Sequence, residues 1–227
     1  WSTGIPLLGI AGGFLVPWAY FAAWPGHERS DWVVAEAFLV LVLFLLFTVV
    51  APPAEYVAAS VGRPLVDTSL IAIDRALAID LPAVVAWTSR HPMTAYALRL
   101  AYVSFLPQLF FVVLVLGCAF RDRQALWEFA FHFHLCTVMT LLLFVLWPAT
   151  CPAVAERFTP VLDQTRLIEH FSAMRARQPL FLTYDNLDGL VSFPSFHAAG
   201  GWMVTWAVRR YRLLLPVVLL LNVVLTA

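Results

Sequence analysis

DGLVSFPSFHAAGGWMVTWAVRR, residues Asp188 to Arg210, sets two serines, a proline and a histidine between Ser192 and His197, at the mouth of an apolar run that lasts until Arg209. A run of this kind, closed by a basic cluster, reads as a membrane helix. The rest of the chain agrees. With 62% hydrophobic and 12% charged residues and a mean hydropathy of +0.83, 227 residues cannot hide their apolar side chains inside a water-soluble sphere, so the bilayer must be much of the solvent. The expected fold class is all-α, a polytopic transmembrane helical bundle of about six spans plus interfacial helices.

Further apolar runs place the spans at Gly4 to Trp24, Trp32 to Val50, Tyr96 to Phe120, Ala125 to Trp147, Leu190 to Val208, and Leu213 to the end. Trp18, Trp24, Trp32, Trp127 and Trp147 stand near run ends, where amphipathic rings favour the headgroup layer. Two stretches differ. Arg63 to His91 sets Asp67, Asp74, Arg75 and Asp80 on one polar face and reads as one or two helices along the interface, broken near Pro82. Pro148 to Gly189 is the longest polar stretch, with Arg157, Arg166, Arg175, Arg177 and His170 among several acids. The short basic loops Arg121 to Arg123 and Arg209 to Arg212 belong in the cytoplasm by the positive-inside bias, which puts both polar stretches and the Ser/His mouth on the other side.

All 14 basic residues are arginine, so no mechanism that needs lysine is open, and zero net charge points away from nucleic acid. Cys118, Cys136 and Cys151 form no metal-binding or disulfide spacing; neither metal nor other cofactor is expected. His132 and His134 point about 200° apart on one helix and cannot share one metal; packing against polar groups of a neighbouring helix is their expected role.

The quoted helix is expected to begin near Ser192, with Ser192 as N-cap and Pro194 in the first turn. The amides of Ser195, Phe196 and His197 then point outward, and such a helix end attracts anions, phosphate above all. The twelve residues from His197 to Arg209 make roughly 18 Å of helix against a hydrocarbon core of about 30 Å, so the site is sunk below the far surface. Histidine, with an ordinary pKa of about 6.5, can pass a proton there. A Ser/His hydrolase does not fit, because residues two apart on a helix do not face each other and no G-x-S-x-G is present. Ser-Phe-Pro-Ser is also an adequate helix start with no chemistry attached.

SFPSFHAA (Ser192 to Ala199) resembles the second signature of the type 2 phosphatidic acid phosphatase (PAP2) superfamily, Ser-x-x-Ser-Gly-His at the start of a membrane helix. Phe196 in place of glycine, and the proline-rich WPATCPA (Trp147 to Ala153), look more like the branch of inositol phosphorylceramide and sphingomyelin synthases. The resemblance implies that Ser195 and the Phe196 amide hold phosphate oxygens, that Ser192 supports the turn, and that His197 protonates the leaving alkoxide. It also implies a second histidine, four residues before an aspartate, that attacks phosphorus and becomes phosphohistidine. No such pair follows His197, Trp1 is not an initiator methionine, and Ala227 stops inside an apolar run, so the chain is expected to continue. The first signature, Lys-x6-Arg-Pro, cannot exist without lysine, and Arg157, Arg166, Arg175 and Arg177 are the candidates for its phosphate charge.

Residues 1–60 are thus expected to form N-terminal membrane helices and 61–227 a catalytic domain. The expected activity is transfer of a phosphoryl headgroup to or from a lipid phosphate, in a bacterial plasma membrane with the site on the extracytoplasmic side. A lipid phosphatase and a non-enzymatic bundle or transporter are the alternatives.

Overall fold

The computed structural model describes residues 29–156, 164–183 and 186–226, and before them only the isolated positions 13, 15, 16, 19, 20 and 23. Every regular element among these residues is helical, so the all-α expectation holds. Besides one helical turn at Pro152–Ala155, the helices are α1 (Arg29–Ser60), α2 (Asp67–Ala76), α3 (Leu81–Arg90), α4 (Pro92–Val103), α5 (Phe105–Leu114, continued as a π-turn over Val115–Ala119), α6 (Arg123–Leu146), α7 (Thr165–Arg175), α8 (Phe196–Ala207) and α9 (Leu215–Thr226).

Among the described residues, the count of six spans is not confirmed. By length and apolarity, α1 and α6 are each able to cross a membrane, and α4 with α5 makes a third crossing if the pair, bent by 43°, is one span. Helix α8 is 12 residues, roughly 18 Å, short of the ~30 Å core, and α9 is described over 12 residues, up to Thr226. The apolar run from Leu190 is helical only from Phe196, because Leu190 and Val191 give their amides to a side chain instead of to a helix. The run from Gly4 to Trp24 lies outside the described residues apart from those isolated positions.

Helix α1 continues ten residues past Val50, through Pro52 and Pro53, to Ser60. Each proline removes a helical N–H, and tertiary packing offsets the loss. Tyr56, Ala58 and Ala59 are buried with Phe144 of α6, Phe171 of α7 and Leu190 in a small core at that end. The main core lies deeper, where Val40, Leu41 and Phe44 meet Phe105, Val112, Phe129, Phe133 and Val204. It joins α1 to α5, α6 and α8.

Arg63 to His91 forms two helices, and Pro82 falls in the first turn of α3 rather than at the break. Asp80 caps α3 by accepting the Ala83 N–H at 3.0 Å. Helix α2 has no buried residue and α3 has Thr88 alone. The pair is tied to the end of α6 by Asp67, which accepts the Thr150 N–H at 2.9 Å and its hydroxyl at 2.6 Å.

Candidate active site

The cap of α8 is the second serine of the motif, not the first. Ser195 is extended (φ −71°, ψ 113°) and its Oγ accepts the Ala198 N–H at 3.2 Å, the bond that defines an N-cap. Ser192 and Pro194 therefore precede the helix, and the first-turn amides are those of Phe196 and His197. Ser195 is exposed and Ser192 half-buried.

Phe196 and His197 leave the cap in different directions. The Phe196 ring enters an aromatic cluster, 5.9 Å from Phe47, 5.9 Å from Phe105 and 5.6 Å from Phe133. A bulky residue at this place wedges α8 against α1, α5 and α6. The His197 ring stacks on Tyr102, 4.3 Å away and 14° from parallel, with Phe105 at 5.0 Å. The Tyr102 Oη is 3.5 Å from His197 Nδ1, at the outer limit for a hydrogen bond.

A cavity of about 580 Å³ opens at this point, with Phe196, His197, Tyr102, Arg166, Asp188 and Glu55 among the groups that line it. Arg166, on α7, grips Asp188 with both arms, Nη2 to Oδ1 at 2.8 Å and Nε to Oδ2 at 2.5 Å. Glu55, near the end of α1, accepts the Leu190 N–H at 2.6 Å and the Val191 N–H at 3.4 Å through Oε2. Next to it the buried Tyr56 hydroxyl lies 2.7 Å from His170 Nδ1 and accepts the Asp188 N–H at 3.2 Å.

Of the four arginines named for phosphate charge, Arg166 alone is placed in this cavity among the described residues. Arg175 lies over the Phe171 ring at 5.7 Å, and its Nη1 is buried without a hydrogen-bond partner. Arg177 is exposed just beyond α7 with φ +54°. Arg157 lies outside the described residues. His134 packs against rings rather than polar groups: its Nδ1–H donates back to the Ala130 carbonyl at 2.8 Å, with Phe44 at 5.7 Å and Phe47 at 6.4 Å. His132 likewise donates to the Glu128 carbonyl, at 2.6 Å. It borders a larger cavity, about 880 Å³, between α6 and α8, whose walls include Phe129, Leu135, Met139, Trp202 and Trp206. That space is mostly apolar, with Glu128, His132 and Arg209 also in its wall.

Sequence reasoning did not find Glu55, Tyr102 or the Tyr56–His170 pair. Glu55 carried one signal, an acid directly after an apolar run and two prolines. Asp188 began the quoted stretch without its partner being visible. The cavity thus gathers an imidazole stacked on a phenol ring and a guanidinium on a carboxylate, a set suited to binding an oxyanion and moving a proton; of the expected phosphate-binding residues Phe196 is in its wall, while Ser192 and Ser195 are not among its lining residues. No curated protein and no solved structure matches the chain. A family model described as PAP2 superfamily matches residues 68–227, a stretch that contains all of these cavity residues except Glu55, and the chain belongs to that superfamily.

Proposed function

We propose that this protein is a membrane enzyme that moves a phosphoryl headgroup to or from a lipid, with a phosphohistidine intermediate, at the cavity beside His197. Superfamily membership supports the class of reaction, since members are generally phosphatases or phosphotransferases and act on lipid phosphates. The observation that carries the reading is the meeting of His197 and Arg166 in one cavity at the start of α8.

In this reading the Phe196 amide holds a phosphate oxygen, and so does Ser195, whose hydroxyl accepts from Ala198 yet still has its own proton to donate. As the bond from phosphorus to the leaving oxygen breaks, His197 gives that oxygen its proton and the phosphoryl group passes to the second histidine that the family resemblance implies. Water or an alcohol then takes the group from that histidine. Residues 61–227 are the catalytic region, 1–60 supply further membrane helices, and the site faces the extracytoplasmic side of a bacterial plasma membrane. The α2–α3 pair lies at the interface beside the mouth as a platform for lipid entry.

The test is a panel of phosphomonoester and diphosphate lipids, with and without acceptor alcohols, scored for free phosphate and for headgroup transfer. Transfer to an alcohol supports the phosphotransferase; free phosphate regardless of alcohol makes the protein a lipid phosphatase. Binding of lipid phosphates with no turnover would overturn the enzymatic reading and leave a binding bundle.

A further inference from the structure

The segment 188–191 has no secondary structure of its own to hold it, yet it carries Asp188, Gly189 and Val191 into the cavity wall and leads directly to Ser195 and His197. Buried backbone N–H groups need partners, and here the partners are two adjacent side chains of α1. Glu55 accepts the amides of Leu190 (2.6 Å) and Val191 (3.4 Å), and Tyr56 accepts that of Asp188 (3.2 Å). The same Tyr56 hydroxyl reaches His170 of α7 at 2.7 Å, and α7 returns to the segment through Arg166 and the Asp188 carboxylate. Tyr56 is 2% exposed and Leu190 fully buried.

We propose that Glu55 and Tyr56 are positioning residues for the catalytic cavity: a clamp that α1, outside the stretch matched by the superfamily, applies to the backbone of 188–191. The proposal rests on the function given above for its catalytic consequence, but the clamp itself is a matter of backbone order. The N–H groups of Leu190 and Val191 both donate to one Glu55 oxygen, so a single side chain satisfies two adjacent backbone amides. Without it the two amides lose their partner, and the segment drifts together with the Arg166–Asp188 pair attached to it. Small displacements of positioning groups lower turnover steeply.

Amide hydrogen exchange and lipid-phosphate turnover, measured on the full chain in lipid nanodiscs, test this together. In Glu55→Ala, exchange of the 186–191 segment accelerates by about tenfold or more while α6 is unchanged, and kcat falls on the order of 10- to 100-fold with a smaller change in KM. Glu55→Gln keeps a carbonyl oxygen for the two amides and restores most of both. Tyr56→Phe accelerates exchange at Asp188 in particular. Unchanged exchange at 186–191 in Glu55→Ala, or acceleration spread evenly over the molecule, would overturn the clamp. A Gln variant that keeps the protection but is as slow as Ala would overturn the positioning role, since Glu55 would then act on turnover by its charge. If the wild-type chain turns over no lipid phosphate, the function fails while exchange still decides the clamp.

Discussion

One face of the His197 imidazole is covered by the Tyr102 ring and Phe105 stands beside it, so the ring is held before any substrate arrives. Because the Tyr102 Oη is as far as 3.5 Å from Nδ1, stacking rather than hydrogen bonding is the larger part of that hold. Tyr102→Phe should therefore cost threefold or less in kcat, about the effect of one weak hydrogen bond, whereas Tyr102→Ala should cost about tenfold, the upper range for an aromatic pair. Steady-state rates on one lipid phosphate compare the two, and equal losses would shift the role to the hydroxyl. His197→Ala should lose about 10²-fold of turnover or more, as for removal of a general acid, with substrate binding retained. An activated aryl phosphate departs without a proton and should recover part of that loss. Equal losses on lipid and aryl substrates would reduce His197 to a helix-start residue.

Just behind the motif, α8 packs close against α5 and α9. A Cβ on Gly200 would lie 2.1 Å from Phe105 Cζ, and one on Gly201 2.9 Å from Asn222 Oδ1 of α9. Phe105 is 1% exposed and has no free end to move. Gly200→Ala is therefore expected to destabilise by about 1–3 kcal/mol, the usual range for overpacking, and to disturb His197 through the shared Phe105 ring; thermal unfolding in detergent alongside turnover measures both. Behind these glycines a buried chain of amides and hydroxyls, Ser104–Gln108–Asn222–Thr205, links α5, α9 and α8 at 2.8, 3.0 and 3.1 Å. The helical class was legible from apolar runs alone; the break in Arg63 to His91 was expected near Pro82, which instead opens α3 a few residues after the break. The cap was not legible, since Ser192 and Ser195 are chemically equal choices and the distinction lies in which hydroxyl meets an amide three residues on. Nor were the ends of α1 and α8: whether a helix outlasts two prolines, or an apolar run gives its first amides to Glu55, depends on partners more than a hundred residues away.

Across the whole molecule α1 acts as a ruler. At one end Glu36 accepts from Arg123 Nε at 2.8 Å and from the Trp127 indole at 2.6 Å; at the other Glu55 holds Leu190. The nineteen residue steps from Glu36 to Glu55 make roughly 28 Å of helix, close to the ~30 Å of a bilayer core. The two basic loops meet at the Glu36 end, where Tyr211 donates to Asp122 at 2.9 Å and stacks on Phe120 at 4.0 Å. Burial first, then that bond to Asp122, pushes the Tyr211 phenol up to about 12, so it stays protonated and keeps donating throughout the neutral range. Arg209 and Arg210 pair with Glu128 and Asp122 at the same end, at 3.3 and 4.0 Å, while the cavity belongs to the Glu55 end. If the arginine loops are cytoplasmic, as the positive-inside bias expects, the proposed site opens outward. A cysteine at Leu213, 92% exposed between α8 and α9, should then label only from the cytoplasm, and one at the exposed Gln178, beyond α7, only from outside, in a background with Cys118, Cys136 and Cys151 replaced. Neither position touches the clamp or the Asp122–Tyr211 pair, so the protein's arrangement is preserved while it is read. Labelling of both from the same side would contradict α1 as a crossing helix, and labelling of Gln178 from the cytoplasm alone would turn the active site inward.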